Sequence, residues 1–237
     1  MGVGRRFSDA SILVPPDEHT MSLVLGVASI KGGSGKTTLA INLARAIQLK
    51  GHDVQIIDTD PHRTASRWRE LQPEDYQLPV RHVDDASTAV SFQSRLMLLE
   101  DQADVSIIDG SPKSDETTAT LVRASHAVLI PIQPTPVDVW AAHSITDITR
   151  RTSTPAAYVI SRQIVGTNLA DDIAEGLRDH KPPILENRIS QRVAYAEAMI
   201  EGTTVLDRPG AEKAQNEIES VAGELIDLLR RQLDIED

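Results

Sequence analysis

Lys31, Gly32, Gly33, Ser34, Gly35, Lys36, Thr37 and Thr38 form the run KGGSGKTT, a composition suited to wrapping a polyphosphate. Glycines at 32, 33 and 35 let the backbone curl close to phosphate oxygens, so that successive N–H groups aim at one anion. Lys36 adds a point charge toward the β and γ phosphates, and the Thr37 hydroxyl is placed to ligate Mg²⁺. The general pattern GxxxxGK(S/T) asks for glycine where this chain has Ile30, so its strict form is missed by one residue. Lys31 at the front of the loop is the distinguishing feature. The bland alternative is a glycine-rich turn with incidental lysines.

Carboxylates recur further on. Asp58 and Asp60 lie two residues apart at the end of the apolar run Val54 to Ile57, and an extended backbone would point both the same way. Either could instead cap a helix beginning near Thr64. Val105-Ser106-Ile107-Ile108-Asp109-Gly110 ends in an acid and a glycine. There Asp109 would hold Mg²⁺ through a water, and Gly110 or Ser111 would lie against the γ-phosphate and respond to its loss.

These groups need a scaffold that brings strand ends together. Apolar runs at 23–30, 54–57, 105–109, 127–132 and 157–161 read as buried strands, separated by helical patterns. The expected fold is α/β, a mostly parallel sheet with helices on both faces, and ligands then sit at the strands' carboxyl ends. Helices are expected from Lys36 through Leu49, from Ala86 to Leu99, from Thr117 to Ala124, after Pro136, and from Ala211 to Gln232. Residues 72–85 read as irregular surface. Trp68 reads as a core or interface residue. Residues 1–20 show no sustained period and read as a flexible extension, or as an arm using Arg5 and Arg6; residues 21–237 read as one domain.

The KGGxGKTT loop resembles the deviant Walker A box of the ParA/MinD family of P-loop ATPases. The runs VLIPIQPTPVDVWAA (128–142) and NRISQRVAYAEAMIEG (187–202) resemble the short, ParF-like ParA partition proteins. The resemblance implies ATP and Mg²⁺ as cofactors. It implies that Lys31 crosses a dimer interface to the other subunit's phosphates, that Asp60 polarises the attacking water, and that Asp58 sits near the Mg²⁺ shell. Pro61 would belong to a switch segment. Ser161 and Arg162 would line an adenine pocket, and Arg188 and Arg192 would touch non-specific DNA. The implied partners are a second copy on ATP, DNA, and a ParB-type or ParG-like centromere-binding protein that stimulates hydrolysis. The implied work is segregation of plasmid or chromosomal DNA; relatives position carboxysomes or chemoreceptor clusters instead, and others are ligases of the dethiobiotin or cobyrinate amidation kind.

Composition limits these readings. With no cysteine, disulfides and iron–sulfur ligation are excluded. The formal charge of −11 argues against a chain coated in nucleic acid but permits a local basic patch. No apolar run is long enough to span a bilayer, and the end Asp234-Ile235-Glu236-Asp237 would be repelled by an anionic membrane, so the expectation is a cytoplasmic protein; the ParA resemblance implies that it is nucleoid-associated when ATP-bound.

Overall fold

The structure, a computed structural model, describes residues 22–84, 103–111 and 115–232, together with 94, 95 and 99. The expected extension over 1–20 and most of the expected helix over 86–99 lie outside them. Among the described residues six strands form one sheet: β1 (Leu23–Val27), β2 (Val54–Asp58), β3 (Val80–His82), β4 (Val105–Asp109), β5 (Ala127–Ile132) and β6 (Ala156–Ile160). Their order is β3-β2-β4-β1-β5-β6. Every pair is parallel, so the expectation of a mostly parallel sheet is met in full.

The strands are apolar on both faces because each face is roofed by helices. Leu25, Val27, Ile56, Ile107 and Leu129 pack with α1 (Lys36–Gln48), α2 (Thr64–Glu70), α6 (Val193–Ile200) and α7 (Glu212–Gln232). Their sequence neighbours Val24, Ile57, Ile108 and Val128 point the other way, toward α3 (Asp115–Arg123), α4 (Pro136–Thr152) and α5 (Leu169–Leu177). Trp68 is buried on the first side, its indole N–H donating to the Thr203 carbonyl at 3.1 Å, so it serves the core.

Register positions the chemistry. Val27 and Asp58 both stand opposite Asp109, so the end of β1, the Asp58 carboxylate and the Asp109 carboxylate share one level at the sheet's carboxyl edge. Two elements were not expected. Strand β3 is a three-residue edge strand in a stretch that reads as polar surface, and α5 follows a loop without a strong periodic signal.

Candidate functional site

The phosphate loop leaves β1 and turns through Gly33 (φ 80°) and Gly35 (φ 85°), conformations that side-chain-bearing residues rarely adopt. Gly35 is the N-cap of α1, so the first N–H groups of that helix open into the loop. Three side chains hold the loop's carbonyls from neighbouring strand ends. Gln133 Nε2 donates to Gly33 O at 3.1 Å, Arg162 Nη1 to the same oxygen at 2.7 Å, and the Ser161 hydroxyl to Ser34 O at 2.6 Å. Ser161 and Arg162, expected to line a base pocket, thus also fix the loop's shape. Gln133 was not singled out from sequence, although its place just past a strand's carboxyl end is the signal that marked Asp58.

The two lysines diverge. Lys36 is buried, and its Nζ donates to Lys31 O at 3.1 Å across the inside of the loop. Burial pulls its pKa below the usual lysine range, and the charges of Asp109 and Asp60 oppose that fall. Lys31 instead turns outward. Its Nζ pairs at 2.8 Å with Asp138 Oδ2 in the first turn of α4, with the lysine side chain 43% exposed and the aspartate 4%. The Thr135 hydroxyl also donates to that carboxylate oxygen, and the Asp138 N–H returns a bond to Thr135 Oγ1 at 3.2 Å.

Asp58 and Asp60 both hold the segment that opens α2. Asp58 Oδ2 accepts from the Ser66 N–H at 2.8 Å and hydroxyl at 2.7 Å, so Asp58 caps α2 from eight residues upstream. Its Oδ1 accepts from the Asp60 N–H at 3.0 Å. Both its oxygens are therefore engaged by protein donors, which sets Asp58 apart from a freely offered Mg²⁺ ligand. Asp60 is held at the loop's mouth, accepting from the His62 N–H and the Thr64 hydroxyl, each at 3.0 Å. Pro61 beside it is exposed. Between the acids, the Thr59 hydroxyl donates to Asp109 O at 2.7 Å and ties the two strand ends together.

Asp109 has the environment of a metal ligand. It is fully buried, and among the described residues neither carboxylate oxygen has a hydrogen-bond partner. Burial pushes its carboxyl up to about 7; the Thr37 hydroxyl, beside it without closing a well-formed bond, holds it lower, Asp58 raises it and Lys36 lowers it. An orphaned carboxylate beside a threonine hydroxyl fits Mg²⁺, which takes one or two protein oxygens and fills its shell with phosphate and water. Among the described residues no three His, Asp or Glu side chains form a ready-made ion cage.

Gly110 departs from its expected role. Its N–H donates to Val27 O at 3.0 Å, and a Cβ there would lie 2.7 Å from that oxygen and 2.8 Å from Leu121 Cδ1. Glycine is required by the close approach of β1 and α3, and its donor is already spent. Ser111 is buried, and its hydroxyl has no hydrogen-bond partner among the described residues.

Beside the loop lies a cleft of about 500 Å³, lined by Thr38, Leu39, Arg162, Arg192, Tyr195 and Met199 among others. Phosphates held at Gly33 to Thr37 would leave it as the space for a base and sugar. Arg192, expected to touch DNA, also lines this cleft. It pairs with Glu217 at 2.6 Å, with 25% of its side chain exposed. Arg188 is half-buried, its side chain 23% exposed, and pairs at 2.7 Å with the exposed Asp171.

An all-parallel sheet with a lysine-bearing glycine loop between its central strand and first helix, facing buried carboxylates, defines a P-loop nucleotide-binding domain. Residues 25–205 match the CobQ/CobB/MinD/ParA nucleotide binding domain, and the chain belongs to that family. The Maintenance of carboxysome distribution protein A of Halothiobacillus neapolitanus is 26% identical over 214 residues, covering 86% of this chain and 97% of that protein. The cell division ATPase MinD of Pyrococcus furiosus superposes with a TM-score of 0.70 at 17% identity, over 88% of this chain and 100% of MinD. Cobyrinic acid a,c-diamide synthase of Mycobacterium smegmatis, bound to an ATP analog and magnesium, superposes with a TM-score of 0.65 at 18% identity, over 89% and 95%. The last two establish likeness of fold. ATP and Mg²⁺, expected from the loop, accord with this membership and with the orphaned carboxylate of Asp109.

Proposed function

We propose that the chain is an ATP-driven positioning ATPase of the ParA type, which dimerises on ATP, binds non-specific DNA in that state, and is released by partner-stimulated hydrolysis. The observation that carries this reading is Lys31. Its ammonium is turned away from its own loop, half exposed and held by one carboxylate, which leaves it available to a facing subunit's phosphates. Lys36 serves the loop's own phosphates, Thr37 and Asp109 hold Mg²⁺, and Asp60 orients water at the mouth.

The loop, the Asp60 segment and Ser111 would hold nucleotide and Mg²⁺ together, so that loss of the γ-phosphate would release contacts that order all three. Turnover by the isolated protein should be slow, and a ParB-type or ParG-like adaptor supplies the stimulus; a supplied arginine in P-loop enzymes gives about 10³ to 10⁵ in rate. Of the two arginines expected at DNA, Arg188 keeps the role, because phosphate can displace its exposed partner Asp171. The cargo in this reading is a plasmid or chromosomal segment, with the protein nucleoid-associated when ATP-bound. Among the described residues no helix is long and apolar enough to cross a membrane.

A second reading keeps the same switch and changes the cargo to a large protein assembly. It is favoured by the Halothiobacillus relative, named for carboxysome distribution. Sedimentation equilibrium of the parent and Lys31→Ala with AMPPNP tests the shared core: the parent should become dimeric and the variant stay monomeric. An equally dimeric variant would remove the cross-subunit role. Turnover that depends on a small-molecule acceptor would point to a ligase instead.

A further inference from the structure

Glu217 on α7 lies apart from the phosphate loop, yet its carboxylate gathers the wall of the base cleft. It accepts from the Ser190 N–H at 3.1 Å and the Ser190 hydroxyl at 2.7 Å. It also accepts from Arg192 Nε at 3.1 Å and Nη2 at 2.6 Å, and from the Tyr195 hydroxyl at 3.4 Å. All these donors belong to the stretch that faces Thr38 and Leu39 across the cleft. Gln163 fastens the same stretch from behind, its N–H donating to Ile189 O at 3.1 Å and its carbonyl accepting from the Gln191 N–H at 2.9 Å. The fork to Glu217 consumes one edge of the Arg192 guanidinium, so the flat face and the Nη1 edge are what remain to line the cleft. A guanidinium held in a fixed plane stacks well on an aromatic ring.

We propose that Glu217 is the positioning residue of the base cleft: by holding Ser190 and Arg192 it sets the guanidinium plane as a platform for a purine ring. ATP affinity then depends on a carboxylate that touches no part of the nucleotide. The proposal rests on the nucleotide reading of the site and adds the residue that governs its base end.

The test compares two ligands, ATP and inorganic tripolyphosphate, each with Mg²⁺, by calorimetry on the full chain. Glu217→Gln keeps the side chain's shape and loses its charge; Arg192→Lys keeps the charge and loses the fork. Each should weaken ATP about tenfold, as loss of a charge-assisted hydrogen-bond pair does, and leave tripolyphosphate within about twofold of the parent. The double variant should be no weaker than either single one, because both act through one contact. Should Glu217→Gln fail to fold, Arg192→Lys carries the comparison alone. Parental ATP affinity in the folded variants, or equal loss of both ligands, overturns the proposal. A parent that binds tripolyphosphate but gains nothing from the base overturns it too, and a parent that binds neither ligand removes the nucleotide reading and this inference with it.

Discussion

Lys31 and Lys36 stand five residues apart in one loop and serve different ends: Lys36 folds onto Lys31 O, while the Lys31 ammonium goes to Asp138. For Lys31 to reach another subunit, that pair must break. Asp138→Asn should therefore lower the AMPPNP concentration needed for half-dimerisation about twofold to fivefold, the worth of a partly exposed ion pair. Ultracentrifugation across a nucleotide titration reads this directly, and a raised midpoint would mean that Asp138 supports the dimer rather than restraining Lys31. Asp109 carries the pH dependence. Its folded carboxyl holds a proton up to about 7, against an ordinary value of 3.8, so the folded state binds the proton more tightly than the unfolded chain. Its contribution to stability thus falls as pH rises from about 4 to about 7, the direction set by linkage. Asp109→Asn should raise the melting temperature of the metal-free protein at pH 8 more than at pH 5.5, while abolishing Mg²⁺-dependent turnover. A pH-independent effect would contradict the assigned environment.

At the scale of elements, two contacts decide whether the strand ends stay in place. In Gly110→Ala the new methyl meets a backbone oxygen of β1, which cannot move without separating β1 from β4. A destabilisation of about 1–3 kcal/mol by chemical denaturation is expected, as for overpacked cores, together with loss of turnover. Ser66→Ala removes one donor from Asp58 and should cost about 1 kcal/mol, frayed at α2 and felt at Asp60. The long strands, the helices bearing strong apolar stripes and the loop between them were legible in sequence because each is set by a local period. Strand β3 was not, since Val80 and His82, half-buried around an exposed Arg81 at a sheet edge, make a piece too short to show a period. Long-range polar contacts were equally hidden. Nothing near Arg192 in sequence announces Glu217, a helix away, and two arginines in a loop read as a basic surface until their acids are placed. Asp138 sits in the run 128–142, which the sequence marks by its family resemblance and not as the partner of Lys31.

The whole molecule sets a charge problem for the proposed role. A chain of net charge −11 must approach DNA through a small patch, and Arg188 is half screened by Asp171. Pairing two copies on ATP would double that patch and bring its halves onto one surface, which is the physical reason binding should follow the nucleotide. Arg188→Glu should then weaken DNA binding and flatten its salt dependence in the ATP state; an unchanged slope would take Arg188 off the DNA surface. The most direct measurement of the account as a whole is co-sedimentation of the full chain with non-specific DNA, in buffer alone, with ADP and with AMPPNP, across a range of salt. The account predicts binding with AMPPNP alone, weakening steeply as salt rises. Binding that ignores the nucleotide, or none in any state, would contradict it.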